Sequence, residues 1–143
     1  MAITRHASAT WEGDLKGGKG HVNSGSGAIN HAYSFRMRFE DAPGTNPEEL
    51  IGAAHSSCFS MALSHMLSEG GHKPTRVTTK ADVILDTVGD GPKITKIILT
   101  CDAVVPGIDE KTFQETANKA KTGCPISQAL AATPIELKAT LAK

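Results

Sequence analysis

The sequence has no long apolar run, no excess charge of either sign and few aromatic side chains. No stretch approaches the about 18 apolar residues that crossing a bilayer requires, because Glu49 and His65 interrupt the best candidate. Lysine and arginine together number 15, and so do aspartate and glutamate, so nothing draws the chain to nucleic acid or to an anionic membrane. Met1-Ala2-Ile3-Thr4-Arg5-His6 lacks the apolar core and small-residue cleavage site of a signal peptide. Three cysteines make an odd, sparse count, unlike a secreted disulfide scaffold. The expected compartment is therefore the cytoplasm, where a disulfide is transient rather than structural. Neither Cys-x-x-Cys nor His-Glu-x-x-His spacing occurs, which argues against a metal site. Gly17-Gly18 and Gly70-Gly71 suit turns and caps rather than a phosphate-binding loop. Aromatics make up 4% of the chain against 14 glycines. A core of such small side chains is thin for one subunit and favours burial against a second one.

What is present reads as one α+β domain over residues 1–143, with antiparallel sheet and a few helices. Strands are expected over Thr4–Glu12 and His21–Ser24, with a hairpin turn at Gly25-Ser26-Gly27. From Tyr33 the chain alternates, Tyr33, Phe35, Met37 and Phe39 against Ser34, Arg36, Arg38 and Glu40, which predicts a strand. Asn46 as cap, Pro47 at the first helical position and the acids Glu48 and Glu49 predict a helix that stops at Gly70-Gly71. Apolar or small residues around most of its circumference predict a largely buried helix. Strands follow over Arg76–Thr87 and Lys93–Val105, joined by a turn at Gly89-Asp90-Gly91-Pro92. Asp109 caps a helix to about Gly123, a short helix begins at Cys124-Pro125, and Ile135, Leu137, Ala139 and Leu141 alternate in a last strand.

The residues with chemistry to offer are few. Cys124, beside Pro125 at a helix start, meets unpaired backbone N–H groups that lower a thiol pKa; a small capping residue is the alternative. Cys58 lies within an apolar helix, where burial raises a thiol pKa unless a cation is near, and a cysteine there also serves as core filler. Ten residues of helix separate Glu48 from Cys58, roughly 15 Å along the axis, so the two cannot touch. Arg38 and Glu48 can pair across the intervening turn, and an arginine held by a carboxylate can be aimed at a thiolate or a peroxide oxygen. A solvated face for Arg36 and Arg38, and a dipole-stabilising role for Glu48, remain the alternatives. Cys101, in phase with Thr95, Ile97 and Leu99, reads as structural. His55, one turn before Cys58, admits a thiol–imidazole dyad or a core histidine bonded to a helix carbonyl.

Gly44-Thr45-Asn46-Pro47-Glu48-Glu49-Leu50, the segment Ala53-Ala54-His55-Ser56-Ser57-Cys58-Phe59, and Ala120-Lys121-Thr122-Gly123-Cys124-Pro125-Ile126-Ser127 resemble the motifs of the OsmC/Ohr family of peroxide-detoxifying proteins. Ala9-Thr10-Trp11-Glu12-Gly13 and Val105-Pro106-Gly107-Ile108-Asp109 resemble its OsmC branch. The resemblance spans essentially the whole chain. It implies an intertwined homodimer, with antiparallel sheets wrapped around long central helices and active sites at the subunit interface. It assigns Cys58 as peroxidatic and Cys124 as resolving cysteine, with Glu48 holding an active-site arginine. Arg38 fits that arginine best and Arg36 is the fallback. The implied reaction reduces organic hydroperoxides, and hydrogen peroxide more weakly, in defence against oxidative or osmotic stress. It passes through a Cys58 sulfenic acid and a Cys58–Cys124 disulfide, with an external dithiol or lipoyl-type reductant and no bound cofactor. Two other readings stand beside it: an acyl-transfer enzyme using Cys58 and His55, and a non-catalytic dimeric binder of lipid-like ligands.

Overall fold

Asn46 starts the longest helix of the computed structural model, which describes residues 1–142. Its Oδ1 accepts the Glu49 N–H at 2.8 Å, and α2 runs from there over Pro47–Glu69. The chain divides into two compact units, Met1–Leu50 and Ile51–Lys143.

The first unit is a three-stranded antiparallel sheet of β1 (Ala7–Glu12), β2 (Lys19–Ser24) and β3 (Asn30–Tyr33), in that order. Trp11 and Tyr33 meet over Gly20 as tilted rings with centroids 5.4 Å apart. A Cβ on Gly20 would lie 2.5 Å from the Tyr33 ring and 2.6 Å from Trp11, so only glycine fits between them.

The strand predicted from Tyr33 onward is mostly helix. β3 ends at Tyr33, and α1 occupies Phe35–Phe39. Ser34 explains the switch, because its Oγ accepts the Met37 N–H at 3.3 Å and caps the turn. Two pairs four residues apart support it: Phe35 with Phe39, centroids 4.9 Å apart, and Arg36 with Glu40 at 3.2 Å. Alternation over so short a run matches either period.

In the second unit β4 (Arg76–Val88), β5 (Gly91–Val104) and β6 (Ile135–Leu141) form one sheet. A register shift between Ile84 and Leu85 breaks the alternation of β4. β4 and β5 are antiparallel, but β6 joins β5 in parallel, contrary to the all-antiparallel expectation. The reason is the connection: α3 (Glu110–Gly123) and α4 (Pro125–Ala129) intervene, and a helical crossover returns the chain in its original direction.

Phe59, Leu63 and Leu67 of α2, alternate β5 residues Ile97, Leu99, Cys101 and Ala103, and Phe113, Ala117 and Ala120 of α3 form the core. α2 buries only one stripe, from Gly52 and His55 to Leu67, at helical spacing. Ala53, Ala54, Ser57, Met61 and His65 face outward and are exposed, so within one chain the helix is half covered rather than largely buried. It ends in a Schellman motif: His72 N–H reaches Leu67 C=O at 2.8 Å, Gly71 N–H reaches Ser68 C=O at 3.0 Å, and Gly71 has φ +87°. No helix among the described residues is long and apolar enough to cross a membrane.

Candidate functional site: a thiol pair and an arginine–carboxylate pair

The buried face of α3 continues in phase from Phe113, Ala117 and Ala120 to Cys124, which is fully buried. Cys124 ends α3 and caps α4, its Sγ accepting the Ser127 N–H at 3.3 Å. Pro125 offers no N–H at the first helical position, so the first free donors of α4 are Ile126 and Ser127. They are shared between two sulfurs. Ser127 N–H serves Cys124, and the Ile126 N–H and the Cys124 side chain both lie near enough to Cys58 to act on its titration. The two cysteines, remote in sequence, thus meet where α2 passes the α3–α4 corner, and both are free thiols.

Burial pushes the Cys58 thiol above its ordinary value, and the neighbouring Cys124 adds to the shift while the Ile126 N–H opposes it. The Cys101 thiol is also pushed up, chiefly by burial, with a Thr79 hydrogen bond acting against it. Cys101 is packed in the sheet core.

Arg38 and Glu48 pair as the sequence suggests. Arg38 Nη2 donates to Glu48 Oε1 at 2.8 Å, and Nε donates to the same oxygen at 3.1 Å. Glu48 is only 8% exposed, whereas Arg36 and Glu40 pair on the open surface. Helix α1 makes the distinction: two residues at about 100° each turn Arg36 and Arg38 to opposite sides, where a strand would put them together. An aromatic cavity of about 220 Å³ adjoins Arg38, walled by Trp11, Tyr33, Phe35 and Phe39.

His55 is fully buried, and its hydrogen bond runs to neither Cys58 nor a helix carbonyl. Its Nε2 pairs with Ser127 Oγ at 2.7 Å, and burial lowers its pKa. Ser127 also receives the Cys124 thiol at 3.2 Å. Sequence reasoning passed over Ser127; the available signal was its place three residues after Cys124, where a side chain returns to a helix cap. Among the described residues no three His, Cys, Asp or Glu side chains gather to hold a metal ion.

The OsmC-like protein family model matches residues 39–139. Peroxiredoxin OsmC of Escherichia coli strain K12 is 56% identical over 133 residues, 92% of this chain and 93% of that protein. Organic hydroperoxide resistance protein OhrB of Bacillus subtilis strain 168 is 30% identical over 80% of this chain and 84% of its own length. The crystal structure of OhrB superposes with a TM-score of 0.68 at 26% identity, covering 96% of this chain and 98% of that one.

Proposed function

The chain belongs to the OsmC family, and from that premise we propose that it is a cysteine-based peroxidase that reduces organic hydroperoxides with Cys58 and Cys124. The observation that carries the reading is that the two free thiols lie near enough, at one helix corner, for Cys124 to act on the titration of Cys58. The relatives named for peroxiredoxin activity and for organic hydroperoxide resistance support the substrate class.

Cys58 attacks as the thiolate on the terminal peroxide oxygen. The O–O bond breaks, the alkoxide takes a proton and leaves as an alcohol, and Cys58 becomes a sulfenic acid. Cys124 sulfur then displaces hydroxide from the Cys58 sulfur, forming the disulfide and water. A dithiol, of lipoyl type or otherwise, reduces the disulfide in two exchange steps and is itself oxidised. The reaction needs no resident cofactor.

Burial alone would keep Cys58 protonated, so a cation must favour its thiolate. Arg38 is assigned that role and Glu48 that of holding it, since the fork between them spends Nε and Nη2 and leaves Nη1 unspent. The aromatic cavity beside Arg38 suits the organic part of a hydroperoxide better than hydrogen peroxide. The two pairs serve one functional domain, residues 1–143, in a cytoplasmic homodimer with active sites at its interface. The outward face of α2, with Met61 75% exposed, supports a subunit contact.

The test is anaerobic turnover of cumene hydroperoxide and of hydrogen peroxide with dihydrolipoamide or dithiothreitol, with mass mapping of the oxidised protein. A Cys58–Cys124 disulfide and faster turnover of the organic peroxide are expected. Turnover that survives Cys58→Ser, with the sulfenic acid trapped on Cys124, would reverse the two assignments. Light scattering of the eluted protein should give twice the chain mass.

A further inference from the structure

His55 is the one fully buried imidazole next to the thiol pair, and the peroxidase steps above leave it without a task. Its Nε2 lies 2.7 Å from Ser127 Oγ, and Ser127 Oγ lies 3.2 Å from Cys124 Sγ. Its Nδ1 is buried with no hydrogen-bond partner among the described residues. Ser127 is 3% exposed and Cys124 not at all, so bulk water does not interrupt the row. The hydrogen bonds have one consistent direction. The Cys124 S–H donates to Ser127 Oγ, which leaves the Ser127 O–H to donate to Nε2, with the ring proton on Nδ1.

We propose that His55, acting through Ser127, accepts the proton of the Cys124 thiol while Cys124 resolves the oxidised Cys58. The inference rests on the peroxidase reading and concerns only its second step. Cys124 must shed a proton to attack, because the thiolate is the nucleophile. The thiol proton passes to Ser127 Oγ as the Ser127 proton passes to His55 Nε2. The Cys124 sulfur pair forms the S–S bond, the S–O bond of the Cys58 sulfenic acid breaks, and the departing hydroxide ends as water with the proton His55 held. The electrons balance between the two sulfurs, and no further reactant is needed. Ser127 is touched by the reacting thiol; His55 is a positioning and proton-accepting residue acting through it.

The surroundings keep His55 ready to accept. Burial lowers its titration. The titratable group at the other end of its hydrogen-bonded row is the Cys124 thiol at the α3–α4 corner. His55 is therefore neutral at neutral pH, with Nε2 open.

Single-turnover experiments separate the steps. Peroxide is mixed with reduced protein between pH 6 and 9, and quenched samples are resolved by mass into sulfenic acid and disulfide. In the unaltered protein the disulfide rate should be nearly level across neutral and mildly alkaline pH. In Ser127→Ala, which keeps the backbone N–H bond to Cys124, sulfenic acid formation should stay within about twofold. Disulfide formation should fall about tenfold or more near pH 6.5 and climb about tenfold per pH unit thereafter, following the free thiolate. His55→Gln, which can bond Ser127 but takes no proton, should show the same slope. Slowing by one factor at every pH, or no slowing, would overturn the relay, since packing alone moves the rate without its slope. An aromatic mixed disulfide preformed on Cys58 lets Cys124 attack without peroxide. The same slopes there uphold the relay even if Cys58 yields no sulfenic acid, which would overturn the peroxidase reading instead.

Discussion

Arg38 and Arg36 are two residues apart and chemically identical, yet their surroundings differ sharply. Arg38 grips the buried Glu48 through two nitrogens, while Arg36 meets Glu40 in open solvent. An exposed pair contributes little, about 0–1 kcal/mol, and nothing couples it to the thiols. Arg36→Ala should therefore leave peroxide kcat/KM within about twofold. Arg38→Ala should lower it about 100-fold or more, the usual loss when a preorganised charge is removed from a reacting anion. Arg38→Lys should recover only part, since an ammonium cannot reproduce the fork. Steady-state kinetics with cumene hydroperoxide check all three, and equal effects of Arg36 and Arg38 would refute the assignment. Cys101 provides a control among the thiols. Buried between Leu99 and Ala103 on β5, it should give full peroxidase activity as Cys101→Ala, with about 1 kcal/mol lost in urea unfolding.

At the level of the element, the corner residues do the positioning. Ser34 caps the five-residue α1 that carries Arg38, and nothing else within that turn replaces its hydroxyl. Ser34→Ala should weaken the cap by about 1 kcal/mol and raise the KM for organic hydroperoxide more than it lowers the melting temperature. Unchanged kinetics with an unchanged melt would show that α1 does not depend on its cap. The sequence made the other caps legible: Asn46 and Asp109 each accept an N–H three residues on, and Gly71 takes the positive φ of a helix end. These signals are local, and so is the physics of orphan N–H and C=O groups. The α1 turn escaped because five residues cannot separate a period of two from one of 3.6, and Ser34 decides it. The bulge at Ile84–Leu85 and the parallel docking of β6 escaped as well, since both depend on what lies across the sheet.

For the whole molecule, two buried groups and one half-buried group tie stability to pH. Cys58 and Cys101 have thiol pKa values raised above 9.0, and His55 has one lowered below 6.5. Between those limits folded and unfolded chains hold these protons alike, so the groups add no pH dependence. As pH falls below about 6.5, the unfolded imidazole gains a proton that the folded one refuses, and stability drops. As pH rises above about 9, unfolded thiols ionise while folded ones do not, and stability drops again. Each group contributes at most about 1.4 kcal/mol per pH unit. Urea unfolding of the reduced protein from pH 5 to 10 should therefore trace a plateau with two falling edges, the acidic edge shallower in His55→Gln. A midpoint that climbs steadily to pH 10 would contradict the burial of the thiols.

The sequence alone determined what local rules govern: the capped start and glycine stop of α2 and the α+β class. It also made the Arg38–Glu48 pair readable, because a helix start brings its first acid back toward the preceding turn. Only the tertiary structure decided which contacts form between residues far apart. It turned Arg36 away from Arg38, seated Cys58 against Cys124, and gave His55 to Ser127 rather than to Cys58. Such contacts follow from how α2 and the α3–α4 corner pack on one sheet. Packing is a property of summed side-chain volumes and buried area, which no single stretch of sequence contains.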